Sequence, residues 1–305
     1  MKKTAVIGST NIDFIMKMQR LPQTGETITD AEYMQTFGGK GANQALGAAR
    51  SGGNVSFISC IGGDTLINCM LDTFKNDGID IEYVFRDESI NTGTALVMIG
   101  KEGDNYLSVS PGANYRLTPE RIEKAAPAIE RADTILLQCE IPEDTTESII
   151  KRYSESKTII WNFAPARDYA LSSIADVDVL IVNESEAAFL CGHSVREREQ
   201  IKAAGDELYS RGVNTVIITL GAAGSFVRYD KSLFIDAMPV TAVDTTAAGD
   251  VYCGSLTTAL AEGKPLAEAV RFASAASALS VTCMGAQPSA PVREEIDAVL
   301  KKYKL

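Results

Sequence analysis

Short runs of β-branched and aliphatic residues recur along the chain at 5–7, 56–61, 134–137, 158–161, 179–182 and 215–219. Each run is apolar at most positions instead of alternating, the pattern of a strand covered on both faces. Helical stretches at 42–51, 66–76, 143–154, 184–190 and 199–211 supply the covers. Strand, helix and strand repeated in this way lead to parallel pairing, because a strand reached through a crossover helix returns in the same direction. The expected fold is α/β: a doubly wound, mostly parallel sheet with helices on both faces.

Residues 14–37 and 91–110 break this rhythm by alternating apolar and polar positions, with Gly25, Gly93 and Gly103 as turn points. They read as antiparallel hairpins forming a small β lid beside the main sheet. Exposed lid strands tend to pair with another copy, so a homodimer through the lid is expected. Beyond Gly249 the pattern turns helical, with one loop marked by Gly285, Pro288 and Pro291. With 305 residues, 45% of them hydrophobic, the whole of 1–305 reads as one domain carrying this lid,.

Composition narrows the chemistry. His193 is the only histidine, which sets back Ser-His-Asp and multi-histidine zinc mechanisms,. Twenty-nine basic against forty acidic residues give a net charge of −11, a field that repels nucleic acid and anionic membranes,. No stretch approaches the roughly 18 apolar residues of a membrane span. Cysteines 60, 69, 139, 191, 253 and 283 are scattered singly, as in a cytoplasmic protein with reduced thiols,.

Two segments carry the motifs. Val243-Asp244-Thr245-Thr246-Ala247-Ala248-Gly249-Asp250 reads as following a strand and entering a helix that runs to about Glu262. Unpaired amides and the helix dipole make such a start an anion cradle, and small residues let the anion approach. Asp250 in the first turn is then placed to accept a hydroxyl proton; equally, it could only complement the dipole. Phe37-Gly38-Gly39-Lys40-Gly41-Ala42-Asn43-Gln44-Ala45 leads into another helix, and its glycines let amides reach a ligand with many hydroxyls, or form a mere flexible turn,. It has neither P-loop nor dinucleotide-fold spacing.

Polar residues also follow the apolar runs, where open α/β sheets place their ligand crevice: Asn11, Asp13, Glu140, Asn162, Asn183 and Glu186,. Asn183 serves as well as a helix cap. Thr219 to Gly224 could pass a nucleotide or simply turn a hairpin. The carbonyl-rich loop 283–289 suits a hard cation, or merely ends a helix. His193, in Cys191-Gly192-His193-Ser194 with no carboxylate or serine motif beside it, reads as a surface residue.

The blocks Gly38-Gly39-Lys40-Gly41-Ala42-Asn43-Gln44-Ala45 and Asp244-Thr245-Thr246-Ala247-Ala248-Gly249-Asp250, in this order and spacing, resemble the ribokinase-like (PfkB) sugar kinases. The resemblance runs from about Val6 to Val299 and includes Asn11-Ile12-Asp13, Asn162-Phe163-Ala164-Pro165, Asn183-Glu184-Ser185-Glu186 and Gly285-Ala286-Gln287-Pro288-Ser289. It implies that Asn11, Asp13, Gly38, Gly39, Lys40, Asn43 and Glu140 hold a pentose, that Asp250 is the catalytic base, and that Ala247, Ala248 and Gly249 form the anion hole. By the same resemblance Asn183, Glu186, Thr219, Gly221, Gly224 and Ser274 serve ATP, with Glu186 associated with Mg²⁺. Asp244, Thr246, Ser280, Cys283, Gly285 and Ser289 match a K⁺ site built largely of backbone carbonyls.

Three positions depart from the family pattern. Asn68 replaces a glycine after Gly63 and Asp64, Ser274 stands where asparagine or histidine is common, and Ala247 replaces the first glycine of Gly-Ala-Gly-Asp. The implied reaction is ATP-dependent phosphorylation of D-ribose at its 5-hydroxyl. Kinases of 2-deoxyribose, fructose or nucleosides are the alternatives, as is a catalytically silent sugar- or nucleotide-binding regulator, against which the intact Asp250 segment speaks.

Overall fold

The computed structural model describes residues 2–102, 104–169 and 171–303; Gly103, one of the expected turn points, lies outside them. In chain order the first half comprises β1 (Lys3–Ile7), β2 (Asn11–Met18), β3 (Glu32–Gly38), α1 (Lys40–Arg50), β4 (Asn54–Gly62), α2 (Ile67–Asn76), β5 (Val84–Asp87), β6 (Gly93–Gly100), β7 (Asn105–Ser110) and α3 (Pro119–Arg131). The second half continues with β8 (Thr134–Leu137), α4 (Glu143–Tyr153), β9 (Thr158–Asn162), β10 (Val179–Asn183), α5 (Glu184–Cys191), α6 (Arg198–Ser210) and β11 (Thr215–Thr219). It ends with β12 (Ser225–Arg228), β13 (Ser232–Ile235), α7 (Ala248–Ala261), α8 (Leu266–Ser280) and α9 (Arg293–Tyr303).

Nine strands form the main sheet in the order β13-β12-β11-β10-β9-β8-β1-β4-β5. All pair parallel from β5 to β11; β12 and β13 add an antiparallel edge. The two-residue period of a strand sends alternate side chains to opposite faces. Ile135, Leu137, Ile159, Trp161, Leu180, Val182, Val216 and Ile218 belong to one core cluster. Leu136, Ile160, Ile181 and Ile217 belong to the other, with α1, α7 and α8. Two buried faces explain the unbroken apolar runs. Among the described residues no helix is long and apolar enough to cross a membrane.

A second sheet, in the order β3-β2-β6-β7, is the lid. Its two outer pairings are antiparallel, as expected of hairpins, and the seam between β2 and β6 is parallel, running from Asn11 beside Gly93 to Met18 beside Gly100. The lid springs from the carboxyl end of β1, so Asn11 and Asp13 sit at its root.

One expectation fails. No strand precedes the Val243–Asp250 motif: residues 236–247 are irregular after β13 ends at Ile235. The segment is tied instead to the end of α8, where Val281 O accepts the amides of Val243 (2.7 Å) and Asp244 (3.2 Å). The edge strands β12 and β13 take the place a further parallel strand would occupy.

Candidate active site

Because β1, β8, β9, β10 and β11 are parallel, their carboxyl ends share one edge of the sheet. Ile7 pairs with Leu137, Leu137 with Trp161, Ile181 with Asn162, and Asn183 with Thr219. Glu140, Asn162, Asn183, Glu186 and Thr219 therefore emerge along one crevice, with the lid root at one end and the start of α7 at the other.

Helices α1 and α7 cross close enough to join these ends. A Cβ at Gly254 would lie 2.4 Å from Gln44 O and 2.6 Å from Ala48 N, so only glycine permits this approach,. The crossing lets Asn43 Nδ2 (3.1 Å) and Gln44 Nε2 (3.0 Å) donate to the two carboxylate oxygens of Asp250, which is buried. Gln44 also donates to Asn162 Oδ1 (2.9 Å) and accepts from Gln138 Nε2 (2.8 Å). Asp250 thus has a fixed orientation before any ligand arrives.

Gly39 caps α1 with φ 89°, a left-handed conformation that residues with a Cβ rarely adopt,. A Cβ there would also meet Asn11 N at 2.8 Å. This turn brings Lys40 N within 2.9 Å of Glu140 Oε2, which also accepts from Ser9 Oγ. The Lys40 side chain makes no ion pair among the described residues. Its burial disfavours the charge, but Asp250, Glu140 and Glu186 around it outweigh that and hold its pKa above the ordinary lysine value,.

At the lid root, Asn114 donates from Nδ2 to Asn11 Oδ1 (2.8 Å) and accepts Thr10 N at Oδ1 (2.8 Å). Asn11 is left with its Nδ2 to offer a ligand. Asp13 Oδ1 and Asn43 Oδ1 are buried acceptors with no partner, and such orphans are costly unless a ligand fills them. Burial first, then the nearby charges of Glu140 and Asp250, push the Asp13 carboxyl up to about 7. Gly38 lies so close to Asp13 that a Cβ would fall 2.2 Å from Oδ2.

On the other side of Asp250 lies a mostly apolar cavity of about 510 Å³. Thr219, Gly221, Gly224, Ala248, Gly249 and Ser274 all line it, beside Met238, Val240, Tyr252 and Val281. Asn183 and Glu186 do not. They form a reciprocal capping box at the start of α5, Asn183 Oδ1 accepting Glu186 N and Glu186 Oε2 accepting Asn183 N, each at 2.8 Å. The capping reading of Asn183 describes its side chain. Glu186 remains in the field of Lys40 and Asp250, with burial raising its pKa.

The start of α7 differs in detail from the expected anion hole. Ala247 is left-handed, φ 59°, at the position where the family pattern has glycine. A Cβ in that region costs about 1–2 kcal/mol, strain held by the surrounding structure. Ala248 N donates to Thr245 O (3.2 Å) and Val251 N to Ala247 O (2.9 Å). Among the described residues the amides of Ala247, Gly249 and Asp250 have no acceptor, so the Asp250 amide stands open where that of Ala248 was expected.

Asp244 ties the loop before α7 to the loop after α8. Its Oδ1 accepts Thr246 N (2.9 Å) and Oγ1 (2.6 Å), and its Oδ2 accepts Gly285 N (2.8 Å). The hydroxyls of Ser280 and Ser289 are turned to local carbonyls, those of Ser277 (2.8 Å) and Ala286 (2.7 Å). Asn68 lies on α2, its Oδ1 accepting Arg86 Nη2 (2.6 Å), away from the crevice floor.

The buried Asp250 carboxylate thus lies between two unfilled acceptors and an apolar cavity. The profile of the pfkB family carbohydrate kinases covers residues 1–293. The chain belongs to this family. A ribokinase of Haemophilus influenzae is 38% identical over 298 residues, 97% of each chain. A deoxyribokinase of Salmonella typhimurium is 31% identical over 299 residues, covering 97% of this chain and 98% of that one. The structure of an Arabidopsis thaliana ribokinase complexed with ribose and ATP superposes with a TM-score of 0.92 at 31% identity, over 98% of this chain and 99% of that one.

Within this pfkB frame, Gln44 and Asn114 are among the site residues to which the sequence alone assigned no role. Gln44 stands inside the glycine-rich Phe37–Ala45 segment, but its role depends on Asp250, which is 206 residues away. Asn114 carried no signal: it lies in a short 3₁₀ turn, and its partner Asn11 is 103 residues distant.

Proposed function

We propose that this pfkB kinase transfers the γ-phosphoryl group of ATP to the primary 5-hydroxyl of D-ribose. The observation that carries this reading is the pair of orphaned acceptors, Asp13 Oδ1 and Asn43 Oδ1, flanking a base already oriented by two amides. Sugar hydroxyls satisfy both acceptors, and Asn11 Nδ2 donates in return. Asn11 favours ribose over a 2-deoxy sugar, because a missing hydroxyl leaves a buried amide unpaired at roughly 1–3 kcal/mol.

In the reaction Asp250 takes the proton of the attacking hydroxyl. The new O–P bond forms as the bond from the γ-phosphorus to the β-phosphate oxygen breaks, and ADP leaves. The transition state is loose, so alignment and charge stabilisation dominate. The free amides at the start of α7 and the Lys40 ammonium supply the latter, while the apolar cavity takes the base.

Magnesium accompanies ATP and neutralises phosphate charge; Glu186 Oε1, whose partner oxygen holds the Asn183 amide, is the group that would orient its water shell. The donors around Asp244 and Gly285 are oxygens and suit a hard monovalent cation such as K⁺. Asp244 is already hydrogen-bonded through both oxygens, so coordination would fall to carbonyls, that of Cys283 rather than its thiol. Such a cation would fix the loops that frame the anion hole.

The lid supports a homodimer. Every residue of β7 is exposed, with Tyr106 at 61%, Leu107 at 63% and Val109 at 49%, an apolar edge that monomers rarely leave open. A cytoplasmic setting would keep buried thiols such as Cys60 and Cys139 reduced,.

The deciding experiment compares ATP-dependent turnover of ribose, 2-deoxyribose, fructose and adenosine. The reading requires the highest kcat/KM for ribose and ribose 5-phosphate as product. A higher value for any of the others, or no sugar-stimulated turnover, overturns it.

A further inference from the structure

The sole histidine is not an isolated surface residue. Helix α5 ends at Cys191, and Gly192 in the left-handed region (φ 73°) turns the chain so that Cys191 and His193 reach the same neighbour, Glu207 near the end of α6. One ligand atom from each of Cys191, His193 and Glu207 lies within 4.8 Å of the other two. His193 Nδ1 is 3.2 Å from Ser194 O, where a ring N–H donates, and this assigns the free nitrogen to Nε2,. Nε2 faces Glu207 Oε2 at 3.2 Å. A protonated ring donates from Nε2 to this oxygen, and a metal ion would take the place of that proton between the two. Arg211 Nη2 holds the other oxygen, Glu207 Oε1, at 2.6 Å while also donating to Leu190 O at 3.0 Å. Outer hydrogen bonds of this kind, one on the imidazole and one on the carboxylate, orient ligands at metal sites.

We propose that Cys191, His193 and Glu207 bind a divalent transition metal of the zinc class, with water as fourth ligand. Thiolate, imidazole and carboxylate together suit a borderline-soft ion in a tetrahedron and not Mg²⁺, Ca²⁺ or K⁺. Bond lengths of about 2.0–2.3 Å to such an ion place tetrahedral ligands roughly 3.3–3.7 Å apart, so the triangle closes by side-chain rotation of about 1 Å. Binding forms the metal–sulfur bond and releases the thiol proton to solvent. The thiolate and carboxylate then balance the ion's two charges. Helix α5 is capped by Asn183 on the crevice edge and runs away from it, so Cys191 lies toward the opposite edge of the sheet, where α6 returns to β11. The ion would clip α5 to α6 without touching the kinase crevice, and the site depends on nothing in the proposed reaction.

Titration of chelator-treated protein with Co²⁺ tests this. The expected result is one equivalent per chain with a thiolate-to-cobalt charge-transfer band, displaced by Zn²⁺, and a Zn²⁺-induced rise in the thermal midpoint. Cys191→Ser should abolish the band, and His193→Asn or Glu207→Gln should weaken cobalt binding at least about tenfold. Cys69→Ser, which removes an exposed thiol elsewhere, should leave it intact. Unchanged kinase turnover in His193→Asn shows that the variant is folded. Absence of the band, or a band and thermal shift that persist in His193→Asn and Glu207→Gln, overturns the proposal and leaves the cluster an ion pair.

Discussion

Replacing Gln44 by methionine keeps the length and bulk of the side chain and deletes its amide. Asp250 then loses one of its two side-chain donors, the 3.0 Å bond to Oδ1, and keeps Asn43 on Oδ2 at 3.1 Å. A hydrogen bond to a charged group contributes about 1.5–3 kcal/mol. If that energy holds the carboxylate in its reactive orientation, kcat falls by roughly 10- to 150-fold, since each 1.4 kcal/mol is a factor of ten. The KM for ATP should stay within about twofold, because Gln44 does not line the apolar cavity proposed to take the base,. The change also strips partners from Asn162 Oδ1 and Gln138 Nε2, each worth about 1–3 kcal/mol when buried and unpaired, so the melting temperature should drop. Steady-state ADP release measured well below that temperature, with circular dichroism to verify folding, separates the effects. A folded Gln44→Met enzyme with kcat within about threefold of the parent refutes the positioning role.

Other expectations follow from the same geometry. The free Asp13 carboxyl titrates at about 7, and sugar hydroxyls donating to it favour the carboxylate, so ribose binding should release a proton near neutrality. Its affinity should then fall about tenfold by one pH unit below that value and level off above it; Asp13→Asn should flatten the profile, read by calorimetry in buffers of different ionisation enthalpy. Exchanging K⁺ for Na⁺ should lower kcat with little change in sugar affinity, because the loops at Asp244 and Gly285 frame the anion hole and not the lid; equal rates in both salts argue against the cation site. Leu107→Asp should shift the protein from dimer to monomer in sedimentation velocity, since it charges an exposed apolar edge,; an unchanged sedimentation coefficient removes the lid from the interface.

What the residues reveal by themselves follows local physics. Continuous apolar runs mark strands buried on two faces, and the runs at 134–137 and 179–182 coincide with or fall inside β8 and β10 because parallel pairing leaves no polar face to blur them. The helix starts at Lys40 and Ala248 are legible from glycine and alanine content, a property of a few adjacent residues. Helix α3 is hidden by Pro127 in its interior, and the irregular 236–247 segment looks like a strand because Val240 and Val243 have strand character though both are exposed. Long-range polar partners cannot be read at all. Gln44 acquires its meaning from Asp250 only once α1 and α7 cross, Asn114 from Asn11 only once the lid root is formed, and His193 from Glu207 only once α6 packs beside α5.

In the proposed reaction Asp250 is the base, and the α7 amides and Lys40 carry the transferred charge. Single-turnover phosphorylation of ribose by Asp250→Asn, with ATP binding measured alongside, tests it most directly. The expected result is a loss of about 10² to 10⁴ in the chemical step, the scale of a general base, with ATP affinity nearly unchanged. A rate within tenfold of the parent contradicts it.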